Sequence, residues 1–131
     1  MTSSHFHAVI WMDHHQAKVF HFNAHEENHE QVHAHHTSLH LHHRANTIGP
    51  GHEVIDPAFM NEIVLAVSEA GEILLIGPGN AKTEFNTYLS GYSPSLKAKI
   101  LGIQTVDHPT DPEIVAYARK FFAPVDAMLP R

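Results

Sequence analysis

The chain has 131 residues, 43% hydrophobic and 17% charged, with no cysteine and a formal charge of −6 when histidine is neutral. This fits one α/β-sized globular domain spanning 1–131; it excludes disulfides, thiolate catalysis and cysteine zinc sites, and weighs against a strongly basic nucleic-acid binder, so no DNA partner is expected. The opening "MTSSHFHAVIWMDHH" has no basic segment followed by a long apolar one, and nothing approaches the roughly 18 apolar residues of a membrane span, so a cytoplasmic protein with no membrane partner is expected.

The first half reads as strands. "HFHAVIWM" and "AKVFHF" are β-rich runs separated by "DHHQ", the pattern of a hairpin. A turn that pairs Asp13 with Ala17 would oppose Ile10 to Phe20 and Ala8 to Phe22, matching apolar positions on one face. A strict two-residue turn would pair Ile10 with Val19 and spoil that match, so the first register is expected. "NAHEENHEQ" then reads as a polar connection and "VHAHHTSLHLHH" as a third antiparallel strand.

From Asp56 the period becomes helical. "DPAFMNEIVLAVSEAG" has Asp56 as N-cap, Pro57 in the first turn, Ile63, Val64 and Val67 at helical spacing, and Gly71 as the stop. "EILLIG" is a short apolar run of the kind buried on both faces of a sheet. "GPGN" leads into the helix "AKTEFNTYLSG", ended by Gly91, and "SPSLKAK" follows as a short helical turn. "ILGIQTVDH" reads as a strand, and "TDPEIVAYARKFF" repeats the Asp-Pro helix start at Asp111 and Pro112. The order β-β-β-α-β-α-β-α predicts an α/β fold with a mixed five-stranded sheet and helices on its faces.

The chain contains 15 histidines, of which only His108 lies beyond His52. Their protonation reverses the sign of the net charge, near pH 6 given an unperturbed imidazole pKa of about 6.5. In "HHTSLHLHH", Leu39 and Leu41 share one strand parity and His36, His40 and His42 the other, so the imidazoles fall on one face. His40 and His42 are candidate ligands for one zinc or nickel ion, with His36 or a cross-strand His21 completing the site. No fixed metal-binding spacing such as HExxH is present, and a wet polar face explains the same pattern.

"GPGNAK" offers a second candidate. A glycine-rich turn opening onto a helix presents backbone N–H groups to an anion, with Gly77, Gly79, Asn80 and Lys82 as candidate anion- or RNA-binding residues. It matches neither a Walker loop nor a dinucleotide fingerprint, and tight strand-to-helix packing explains the glycines equally well. Asp13 and Asp107 fall at strand ends, but the central strand "VIW" carries no carboxylate, which argues against two-metal nuclease chemistry. Lys97, Lys99, Arg119 and Lys120 read as solvated. Trp11, Phe20, Phe22, Phe121 and Phe122 read as core.

The stretch "EILLIGPGNAKTEFNTYL" and the hairpin "AVIWMDHHQAKVF" resemble the middle domain of the archaeal and eukaryotic peptide-chain release factor, shared with Pelota. "GPGNAKTEF", "TVDHPTD" and "YARKFF" are closer still to small bacterial proteins called translational machinery proteins, a similarity that covers nearly the whole chain. The resemblance implies a ribonuclease-H-like fold and a partner in the ribosome or structured RNA. It does not carry the release chemistry. The segment that would hold the family's Gly-Gly-Gln tripeptide is here "RANTIGPGHEVID", which has none, and "GIQ" at 102–104 falls in a predicted strand. The expected function is therefore a non-catalytic ribosome- or RNA-associated accessory protein, with a histidine-rich metal-binding or pH-responsive protein as the alternative. An exposed edge strand also leaves room for a homodimer.

Overall fold

The computed structural model describes residues 7–23, 27–33 and 56–128. In chain order the elements are β1 (His7–Met12), β2 (Gln16–Phe22), β3 (Glu27–His33), α1 (Pro57–Ala66), β4 (Glu72–Gly77), α2 (Ala81–Tyr92), α3 (Pro94–Lys97), β5 (Ile100–Thr105) and α4 (Asp111–Met128). The strands form a five-stranded sheet in the order β3-β2-β1-β4-β5. β1, β4 and β5 run parallel, while β2 and β3 complete an antiparallel meander. This is the mixed α/β sheet expected from the sequence.

Every residue of β1 is buried. Its side chains alternate between two cores, as the period of two requires. Ala8, Ile10 and Met12 meet Phe59 and Ile63 of α1, Phe85 and Leu89 of α2, and Leu96 of α3. Val9 and Trp11 meet Phe20, Phe22, Leu74 and Ile76 together with Ile114, Val115, Ala118 and Phe122 of α4. Among the described residues, three helices thus pack on one face and α4 on the other. The aromatic residues assigned to the core lie there, with Phe121 partly buried at its margin.

The hairpin register differs from expectation. Ile10 pairs with Val19, Ala8 with His21 and Met12 with Ala17. The expected register assumed one apolar face, whereas β1 and β2 supply apolar side chains to both, and the shorter turn satisfies them together. Asp13 fixes that turn: its N–H donates to the Gln16 carbonyl at 3.0 Å, and its Oδ1 accepts from the N–H groups of His15 (2.8 Å) and Gln16 (2.9 Å). An aspartate that bonds the backbone two residues on is a self-contained turn device.

The third strand is also earlier than expected. "ENHEQVH" pairs with β2 along its whole length, Phe22 opposite Glu27 and Gln16 opposite His33. Its residues Asn28, His29, Glu30 and Gln31 are exposed, so the strand lacks the apolar alternation that marks strands in sequence. "HHTSLHLHH" lies outside the described residues.

Helix boundaries follow local hydrogen bonding. Asp56 caps α1 through Oδ1 to the Ala58 N–H at 3.0 Å, as expected, but the helix closes at Ala66 with Val67 as C-cap, well before Gly71. α2 runs through Gly91 to Tyr92. α4 is capped by Thr110: its N–H donates to Glu113 Oε1 at 2.8 Å and its Oγ1 accepts from the Glu113 N–H at 3.3 Å. That reciprocal pair is a capping box, one residue before the Asp-Pro start read from the sequence. No helix among the described residues is long and apolar enough to cross a membrane.

Gly77 ends β4 with φ +153°, and a Cβ there would overlap the Met12 carbonyl. Both partners are backbone, so neither yields. Gly77→Ala is expected to cost about 2–4 kcal/mol by backbone strain plus overpacking, checked by urea denaturation. Gly79→Ala, with φ +62° and open space around it, should cost only about 1 kcal/mol.

Candidate functional site at the carboxyl edge of the sheet

In open α/β sheets, ligands bind in crevices outside the carboxyl ends of the parallel strands. Here that edge is formed by three loops: Asp13–His15 after β1, Gly77–Asn80 after β4, and 106–110 after β5. They are tied together from within. The Val106 N–H donates to the Gly77 carbonyl at 3.1 Å, and Trp11 Nε1 donates to the Asp107 carbonyl at 2.8 Å. His14 Nε2 lies 3.6 Å from Glu84 Oε2, joining the hairpin turn to the first turn of α2.

On the α4 side of this edge lies an open cavity of about 430 Å³ lined by Ile76, Val106, Asp107, His108, Pro109, Glu113 and Tyr117. Its floor is apolar and its rim carries two carboxylates and an imidazole. Asp107 Oδ1 is 3.0 Å from His108 Nδ1, and the His108 ring packs at 5.2 Å on Trp11. Tyr117 donates its phenol O–H to Gln104 Oε1. The lining holds no serine, threonine or cysteine, so no hydroxyl or thiol of those residues stands beside the Asp107–His108 pair. Beside the cavity, Lys18 Nζ bonds Asp111 Oδ1 at 3.0 Å, with His29 Nε2 at 3.9 Å from the other oxygen. This cluster holds the first turn of α4 against β2 and β3. Nothing local in the sequence signals it, because Lys18 and Asp111 are 93 residues apart along the chain.

The glycine loop stands where the sequence placed it. Gly77 is fully enclosed, whereas Gly79 and Asn80 are exposed at the start of α2. Asn80 occupies the N-cap position, yet its side chain makes no capping hydrogen bond. Lys82 turns inward. It is 4% exposed, and Nζ donates to the Gly79 carbonyl at 2.6 Å. Its position three residues before Phe85 puts its stem on the core-facing side of α2, and burial lowers its pKa from the ordinary 10.5. The outward-facing parts of the loop are Gly79 and Asn80.

Of the candidate metal ligands, His21 is described and His36, His40 and His42 lie outside the described residues. His21 Nε2 donates to the Ala66 carbonyl at 2.8 Å, closing the end of α1 against β2. No group of three or more metal-ligating side chains occurs among the described residues. Of the basic residues read as solvated, Lys120 is exposed, whereas Lys99 and Arg119 are bonded into the fold. Lys99 Nζ donates to the Ala70 carbonyl at 2.8 Å, and Arg119 donates to the Asn23 carbonyl at 2.8 Å with its guanidinium 5.0 Å from the Phe22 ring. Asp13 serves the turn and Asp107 the Trp11 anchor through its carbonyl.

This architecture is that of a domain found in Pelota and in archaeal release factor. The chain superposes on Pelota from Thermoplasma acidophilum with a TM-score of 0.61 and 18% identity, covering 94% of this chain and 34% of that one. Pelota from Archaeoglobus fulgidus gives 0.58 and 11%, over 90% of this chain and 32% of that one. The archaeal translation termination factor aRF1 gives 0.62 and 15%, over 92% and 35%. The chain thus spans about a third of the length of these structures. No protein-family model and no curated protein sequence matches it.

Lys82 supplies a direct test of its environment. A lysine whose pKa is lowered on folding releases its proton more readily in the folded state, so stability rises with pH between the folded pKa and 10.5. Lys82→Met keeps the stem and removes the charge. Its stability at pH 7 should equal or exceed the parent's, and in thermal melts the difference should move in the parent's favour as pH rises toward 10.5, because only the parent gains stability over that range.

Proposed function

We propose that this protein is a non-catalytic accessory domain that associates with the ribosome or with structured RNA. The observation that carries the reading is the shared architecture with Pelota and aRF1 over at least nine-tenths of the chain, combined with a sequence that contains no Gly-Gly-Gln tripeptide. The carboxyl edge adds a chemical argument: the exposed Gly79 and Asn80 present the amino end of a 12-residue helix. Backbone N–H groups there suit phosphate oxygens, a contact that positions a nucleic acid without reading its sequence. In this reading Lys82 supports the loop through the Gly79 carbonyl and does not touch the ligand.

The test is co-sedimentation with ribosomes. Association is expected at low salt and should weaken as salt rises, since phosphate contacts release counterions. It should strengthen from pH 7.5 to pH 6 if His36, His40 and His42 face the partner and gain charge, and changing the three together to glutamine should reduce that gain. Absence of ribosome or RNA binding at low salt and pH 6 would refute the reading. Peptidyl-tRNA hydrolysis on programmed ribosomes should not exceed the buffer rate.

A further inference from the structure

The two edges of the sheet are built differently. β3 exposes His29 and Glu30, titratable and charged side chains of the kind that guard an edge against pairing. β5 is "ILGIQT", with no charge and no proline. Among the described residues no strand pairs with its outer side. Leu101 is 44% exposed and Ile103 39% exposed, while one side of the strand is held by Phe121 packing against Gly102 and by Tyr117 bonding Gln104. An uncharged terminal strand with apolar side chains on show is an interaction surface.

We propose that β5 pairs antiparallel with β5 of a second copy of this chain, centred on Ile103. The flanking charges select this occupant and this register. With Ile103 opposite its own equivalent, Leu101 falls opposite Thr105, and Lys99 falls opposite Asp107 at both ends of the pair. The two-fold symmetry makes each ion pair twice, because an isologous contact uses every residue on both sides. Asp107 keeps acceptor capacity to take part: its side chain is 93% exposed, with Oδ1 3.0 Å from the neighbouring His108 Nδ1, and its carbonyl accepts from Trp11. Lys99 spends one ammonium proton on the Ala70 carbonyl and keeps two more donors. Pairing would extend the five strands into a continuous ten-stranded sheet. A contact of one strand per copy is small, so the dimer should be weak, with a dissociation constant on the order of 10–100 μM.

Sedimentation velocity over a concentration series is the first measurement, with the full chain. A monomer–dimer equilibrium is expected, and a chain that remains monomeric to about 1 mM overturns the proposal. Asp107→Lys places like charges at both ends and should raise the dissociation constant about tenfold. The double variant Lys99→Asp with Asp107→Lys should return it to within about threefold of the parent. Ile103→Lys should abolish the dimer. Because the chain has no cysteine, register is tested independently by Ile103→Cys, whose thiols would sit on directly opposed residues about 4.5–5.5 Å apart at Cα, within disulfide reach. It should cross-link under mild oxidation at least about tenfold faster than a Glu30→Cys control on β3. Equal rates, or a dimer indifferent to both Ile103→Lys and Asp107→Lys, assign the contact elsewhere and overturn the proposal.

Discussion

Burial of β1 on both faces governs the rest of the molecule. Six consecutive residues with almost no exposure cannot be covered from one side, because alternate side chains point in opposite directions. The chain answers with three helices on the Ile10 face and α4 on the Trp11 face. The main chain of β1 needs a partner on each side as well, which β2 supplies antiparallel and β4 supplies parallel. Gly77 shows how tightly the last pairing is made: the end of β4 comes so near the Met12 carbonyl that no side chain fits between them.

The same constraint moves chemistry to the ends of the strands. With apolar side chains filling both layers, polar groups collect where strands stop. At the amino ends of β1 and β4, His7 Nε2 meets Glu72 Oε1 at 3.1 Å, the imidazole packed between Phe22 and Phe122. At the carboxyl ends, the turn held by Asp13, the Lys18–Asp111 pair and the cavity beneath Asp107 and His108 lie around one rim. The functional reading rests on that rim and on its shared architecture with much longer proteins, of which this chain spans about a third.

Much of this was legible in the sequence because it depends on local chemistry. "EILLIG" announces a strand buried on both faces by carrying five apolar or glycine residues in a row, and "DP" before "AFMNEIV" announces a helix start through a carboxylate that bonds a backbone N–H two residues on. Wrong expectations arose where tertiary partners override such signals. β3 is polar because an edge strand with exposed side chains has no need of an apolar face, so it resembled a loop. The hairpin register was misjudged because two buried faces, and not one, had to be matched. Lys99 and Arg119 resembled solvated charges and Lys82 an anion-binding one, yet each finds a backbone carbonyl supplied by the fold.

The sequence by itself determined the α/β class, the order of strands and helices, the Asp13 turn and the glycine loop, since each follows from the preferences of neighbouring residues and from hydrophobic period. It also carried the resemblance to release-factor domains and the lack of their tripeptide. Only the tertiary structure decided which edge of the sheet is left uncharged, that α4 packs on the Trp11 face, and that Lys82 faces inward. It also brought Ile76, Asp107, Glu113 and Tyr117 around one cavity. Those facts depend on residues far apart in the chain meeting across a packed layer, and no local preference encodes which of them will meet.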